Sequence, residues 1–144
     1  NMFKSAKETK EFMEAGNATL TLKSKVSGTH FTYRIKKIKN REDLFFVSLL
    51  VGHDNENSYN YMGIYDSSNI SFKLTSKSKI SHESVPLKAF KFFLKNIISD
   101  RLDNNLQIFH EGRCGRCNRK LTTPESVESG FGPECTKIIE RNMK

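Results

Sequence analysis

Tryptophan is absent from this 144-residue chain, proline and cysteine occur three times each, and no run of about 18 apolar residues is found. The missing apolar run argues against a membrane-spanning helix, and the N-terminal stretch lacks a signal-peptide layout, so the expected location is the cytoplasm. Asn1 ahead of Met2 reads as a leftover of expression. With no tryptophan, 11 phenylalanines supply the large core side chains. An odd number of cysteines, all within 22 residues, argues against a disulfide framework and fits thiolates that bind metal in a reducing compartment. Also missing are a phosphate-binding Gly-rich loop, an H-E-x-x-H helix, a nucleophile elbow and convincingly paired carboxylates. The chain is therefore read as non-enzymatic. His53, Asp54 and Glu56, like His82 and Glu83, are read as solvated loop residues.

What is present is positive charge. Twenty-four Lys and Arg stand against 16 Asp and Glu, a net +8. This balance favours a polyanionic partner, either nucleic acid or an acidic protein surface. A Lys- and Asn-rich composition also arises from AT-rich coding, so charge alone carries little.

Periodicity divides the chain. Ser5 to Glu8 has the S-x-x-E form of a capping box, in which Ser5 accepts from the Glu8 backbone N–H, and a helix of about ten residues should follow and stop at Gly16. From Ala18 the period is two. Leu20, Leu22 and Val26 form one run and Phe31, Tyr33 and Ile35 the next, with a tight turn at Ser27–Gly28. Leu44 to Val51 is apolar on both faces, the pattern of a central strand covered on both sides. Tyr59 to Tyr65 and Ile70 to Thr75 flank a hairpin turn at Asp66 to Asn69. A second helix begins near Ser84 and Pro86, with Ser84 as cap and Leu87, Phe90, Leu94, Ile97 and Ile98 as its apolar stripe. The expected fold class is α+β: a five-stranded antiparallel sheet over roughly 18–75 with a packed helix, in a domain spanning 1–100. Asp100 to Asn105 is the expected boundary, and Leu106 to Ile108 a short strand delivering His110 to a second module, 106–144.

That module holds all three cysteines. Cys114-Gly115-Arg116-Cys117 is a knuckle from which two thiolates chelate one ion, and Cys135 follows Gly132-Pro133 at a helix start, where the helix N-terminus favours a thiolate. The expected cofactor is a structural Zn2+ in a treble-clef-like module. Three sulfurs leave one position, for which His110 is the nearest candidate; water, a partner, Glu111 and Glu134 are the alternatives. Water in that position would open a route to hydrolysis, which keeps a zinc hydrolase as a remote alternative. So short a segment buries too little surface to fold by itself, whereas a structural zinc contributes on the order of 10 kcal/mol.

The string from His110 to Cys135, H-x-G-x-C-x-x-C-x-R-x-L-T-x-P-x-S-v-x-x-G-x-G-P-x-C, resembles a zinc-knuckle segment of unknown function found in many bacteriophage proteins. Residues 12–100 resemble, more loosely, the companion domain of small phage proteins, in segments such as Ala15 to Thr19, Phe31 to Arg34, Phe46 to Ser48 and Leu74 to Ile80. The resemblance implies a phage- or prophage-encoded protein in a bacterial host; it carries no activity to transfer.

Arg113, Arg116, Arg119 and Lys120 surround the knuckle, and guanidinium groups held on a rigid loop suit bidentate phosphate contacts. On the sheet, His30, Arg34 and Lys36 share a wet face, with Tyr59, Tyr61 and Tyr65 available to stack on unpaired bases. Equally, those tyrosines can pack under the helix, and edge cations can deter aggregation. The expected function is binding of nucleic acid, single-stranded DNA or RNA; the alternative is a host-protein inhibitor that docks on an acidic surface.

Overall fold

The computed structural model describes residues 2–52 and 58–142; His53, Asp54 and Glu56 lie outside them. The class is α+β, built on a single antiparallel sheet of seven strands, not five. In chain order the elements are β1 (Met2–Phe3), α1 (Ala6–Met13), β2 (Asn17–Ser24), β3 (His30–Lys37), β4 (Leu44–Leu50), β5 (Tyr59–Asp66), β6 (Ser71–Lys73), α2 (Val85–Ser99), β7 (Leu106–His110), α3 (Pro124–Ser129) and α4 (Pro133–Asn142). Strands β2 to β6 are the meander expected from the period-two runs. The two additional strands join beyond it, in the order β1-β7-β2-β3-β4-β5-β6.

In this order the strand that follows the expected boundary at 100–106 belongs to the sheet that precedes it. Strand β7 carries the chain out of α2 and back into the sheet, pairing Leu22 with Ile108 on one side and Phe3 with Ile108 on the other. The cysteine-bearing segment therefore starts from within the sheet, and the main core runs without a break from Phe3 through β2–β5 and α2 to Ile108.

Alternation along the strands sorts the side chains. Ala18, Leu20, Leu22, Tyr33, Ile35, Phe45, Val47 and Ile108 are buried with Phe12 and Met13 of α1 and Leu87, Phe90, Phe93, Leu94 and Ile97 of α2. Among the described residues, one face of the sheet is covered in this way. The other face of β4 shows Phe46 at 43% exposure, so the strand expected to be covered on both sides is open on one. The apolar content of its second face goes into an edge-on contact between Phe46 and Tyr61, 5.9 Å between centroids.

The helices are held as their caps dictate, with one exception. The Ser5 side chain accepts from the Glu8 N–H at 3.1 Å and starts α1. Ser84 does not cap α2: its hydroxyl donates to the Ser81 carbonyl at 2.8 Å, leaving Pro86 in the first turn to set the start. On α2 the inward stripe gains Phe93 at one edge, while Ile98 at the other edge is 59% exposed. Two buried tyrosines tie the helical layer down: the Tyr33 hydroxyl donates to the Pro86 carbonyl at 2.7 Å and the Tyr65 hydroxyl to Glu14 Oε2 at 2.6 Å.

A bulge in β5 decides where its tyrosines face. Val47 pairs with Gly63 but Ser48 pairs with Tyr61, so Met62 is the extra residue. Tyr65 then turns inward beside Phe45, while Tyr59 and Tyr61 stay on the open face opposite Leu50 and Ser48. Gly63 makes the close approach to β6 possible, since a Cβ there would stand 2.4 Å from the Lys73 carbonyl oxygen.

Candidate metal centre and the basin beside it

The three thiols meet. The sulfur atoms of Cys114, Cys117 and Cys135 lie within 4.8 Å of one another, a group able to hold a metal ion. Two local structures bring them together. The first is a short hairpin in which Cys114 N–H donates to the Arg119 carbonyl at 2.8 Å, Leu121 N–H to the Gly112 carbonyl at 2.8 Å, and Asn118 takes a left-handed φ of 64° so that its N–H reaches the Cys114 carbonyl. The Arg116 N–H points back at the Cys114 sulfur at 3.4 Å, as a knuckle requires. The second is the first turn of α4, where Cys135 stands two residues after Pro133. Between them α3 is capped by Thr123, whose side chain accepts from Ser126 N–H, and ends on Gly130 at φ 84°.

The environment of the thiols is polarised. Burial pushes the Cys114 thiol up, but backbone N–H groups of Gly132, Cys117 and Arg116 outweigh it and bring the group below its ordinary value. Burial raises Cys135 to about 11, opposed by the Arg116 guanidinium 3.7 Å from its sulfur and reinforced by the neighbouring thiols. Three sulfurs this close oppose one another's ionisation, and a cation among them removes that opposition.

His110, expected as the fourth ligand, does not join the group of three thiols. In β7 it pairs with Leu20, and alternation sends its ring into the core, 5.6 Å from Phe3 and 5.7 Å from Phe12. Both ring nitrogens are engaged: Nε2 donates to the Val127 carbonyl at 2.5 Å and Nδ1 accepts from Gly112 N–H at 3.0 Å. This is the neutral tautomer, and burial lowers the imidazole pKa accordingly. The histidine therefore supports the cysteine-bearing segment from beneath by hydrogen bonding to its backbone. Glu134, by contrast, lines the same small hollow as Cys117 and Cys135.

Phe12 joins the cysteine segment to the sheet. Its ring lies against Gly115 and Gly130, where added Cβ atoms would stand 2.7 and 2.8 Å away, and it packs on Phe131 at 5.8 Å. The Asn17 N–H, at the head of β2, donates to the Gly115 carbonyl at 2.9 Å.

The cationic residues singled out in the sequence fall into two places. Arg116, Arg119 and Lys120 surround a hollow of about 270 Å³ beside Cys117 and Cys135. Arg113, Arg34, Lys36 and Tyr59 instead line one polar basin of about 810 Å³ on the open face of the sheet. Tyr61 faces an adjoining hollow with Phe46, Lys77 and the same Arg34 and Lys36. The Arg34 guanidinium lies 4.1 Å over the Tyr59 ring, and Arg113 Nη1 donates to the Asn118 carbonyl at 3.1 Å.

Sequence reasoning did not find the floor and wall of this basin. Thr19 pairs with Arg34 and Thr21 with Thr32, which places three threonines among the cations. Thr21 and Thr32 hydroxyls are 2.6 Å apart, and Thr21 donates to the Glu111 carboxylate. Glu111 reaches it because it follows His110: one points into the core, the next onto the open face. The only advance signal was the polar half of the period-two pattern in β2 and β3.

A model of a family of unknown function, DUF6011, matches residues 106–139, the span from β7 into α4. No curated protein and no solved structure matches the chain. No helix among the described residues is long and apolar enough to cross a membrane.

Proposed function

We propose that the protein is a non-enzymatic binding factor for single-stranded nucleic acid, with a structural Zn2+ held by Cys114, Cys117 and Cys135. Three thiolate ligands select a soft or borderline ion, and zinc is the one that serves fold stability without redox chemistry. The metal supplies a cross-link between the knuckle and the first turn of α4; the chain's own residues do the binding. The observation that carries the reading is the open sheet face, where Arg34, Lys36 and Arg113 stand beside Tyr59 in one basin and Tyr61 and Phe46 continue the surface. Cations that track a phosphate backbone beside aromatic rings on which bases stack are the means by which single strands are held without base pairing.

Fluorescence anisotropy with labelled oligonucleotides tests this. Binding should weaken steeply with salt, and Arg34→Ala with Lys36→Ala should lower the affinity and flatten the salt slope by about one unit for each phosphate no longer neutralised. No binding of single strands at low salt refutes the reading. A stoichiometric complex with a protein that survives nuclease treatment would point to an acidic protein surface as the occupant. Elemental analysis tests the metal: one zinc per chain is expected, and Cys135→Ser should abolish it.

A further inference from the structure

The basin is not uniformly cationic, and the exception indicates what kind of strand it takes. Glu111 stands on a wall shared with Arg34, Lys36 and Arg113. A carboxylate placed there repels a bare phosphate, so it faces a part of the ligand other than phosphate.

The hydroxyls beside it fix the direction of its hydrogen bonding. Thr21 gives its one proton to Glu111, and the neighbouring Thr32 hydroxyl, 2.6 Å away, must then give its own to Thr21. Both threonine protons run toward the carboxylate. What remains for a ligand is acceptor capacity: the free lone pairs of Glu111 and those of Thr32. This end of the basin is thus a set of acceptors awaiting a donor.

Its position relative to the cations selects the donor. Thr32 and Arg34 are two residues apart on one strand, about 7 Å at ~3.4 Å per residue. That distance stays within one nucleotide of a phosphate held at Arg34. The sugar lies next to the phosphate in every nucleotide, whereas the base is directed to the stacked pair of Arg34 and Tyr59. The hydrogen-bond donor a sugar offers inside a strand is the ribose 2′-hydroxyl, which DNA lacks.

We infer that the Glu111, Thr21 and Thr32 end of the basin reads a ribose 2′-hydroxyl, so that the strand recognised is RNA. The inference rests on the proposed strand binding and adds the choice of sugar.

The test compares three labelled oligonucleotides of one sequence: RNA, DNA and 2′-O-methyl RNA, which keeps the sugar oxygen but removes its proton. RNA should bind roughly 10- to 100-fold more tightly than DNA, the range for a hydrogen bond to a charged acceptor. The 2′-O-methyl strand should fall to the DNA level or below. Glu111→Ala should bring the RNA-to-DNA affinity ratio to about one, and Thr21→Val should narrow it, whereas Arg34→Ala should weaken both strands. If all three strands bind alike and binding still depends on Arg34, the inference is overturned and strand binding stands. If 2′-O-methyl RNA matches RNA, strand shape and not the donor makes the distinction, and the inference is again overturned. If no strand binds, both fall.

Discussion

Replacing Gly115 with alanine tests how the cysteine segment is joined to the rest. An added Cβ would meet two ring carbons of Phe12 at 2.7 Å, about 0.7 Å inside the ordinary contact distance of 3.4 Å, and the Phe12 carbonyl oxygen at 3.0 Å. Gly115 has no left-handed φ, so the substitution adds a contact without adding backbone strain. The ring has nowhere to retreat: it is fully buried, with Phe3 at 5.0 Å, His110 at 5.7 Å and Phe131 at 5.8 Å. Overpacking of this kind costs about 1–3 kcal/mol, and the closed surroundings argue for the upper half. Because Gly115 separates Cys114 from Arg116, affinity for the proposed zinc ion should fall with stability. Urea denaturation of the zinc-loaded protein measures the first and competition with a chelating dye the second. Phe12→Leu, on the order of 1–3 kcal/mol destabilising by itself, makes room for the new methyl group. The double variant should therefore be more stable than the sum of the two losses predicts, with a coupling of at least about 1 kcal/mol. Additive losses, or a Gly115→Ala change within about 0.5 kcal/mol of the wild type, would refute the packing described between these two segments.

Further outcomes follow from other interactions. Chelation of the metal should strip hydrogen-exchange protection from α3 and α4 while β3 to β5 keep theirs; uniform loss across the sheet would contradict a local role for the ion. Tyr65→Phe removes the 2.6 Å hydrogen bond to Glu14, which keeps its ion pair with Lys10 at 2.7 Å, so the loss should lie near the low end of about 1.5–3 kcal/mol in thermal or urea unfolding. Burial raises the Tyr33 hydroxyl pKa above its ordinary 10.0, and burial with the Glu14 carboxylate raises that of Tyr65. The unfolded chain therefore loses these protons first, and stability that is complete below pH 10 should decline above it. Phenolate absorbance should show these two tyrosines ionising only as the protein unfolds; early titration of all tyrosines would refute their burial.

The strands of the meander were legible because each carries its own period-two pattern, and α1 and α2 because Ser5, Pro86 and the apolar stripes are local signals. The cysteine group was legible from spacing alone. What escaped depends on partners distant in the chain. Met2–Phe3 is too short to show any period, and its pairing with β7 is visible only in three dimensions. The bulge at Met62 reverses the side of Tyr65 without a mark in the sequence, where Tyr59, Tyr61 and Tyr65 share one period-two face. His110 looked like a ligand by proximity to Cys114, yet strand alternation directs it to the core and Glu111 to the basin. The threonine floor escaped because threonines are ordinary on any wet strand, and only register assembles Thr19, Thr21 and Thr32 around Arg34.

The place of β7 also governs the order in which the molecule can assemble. A strand that follows α2 in the chain fills the position between β1 and β2, so Phe3 waits for Ile108, more than a hundred residues on, before it has its partner. Closing so long a loop is entropically late, and pairings of that span slow the folding of a sheet. During synthesis β2 to β6 and α2 emerge first and can collapse, but β2 then presents a bare row of N–H and C=O groups where β7 belongs. That open edge invites strands from other chains until residues 106–110 leave the ribosome. The insertion of β7 is thus the step that closes the sheet, seats His110 beneath the cysteines and ends the interval of greatest risk of aggregation.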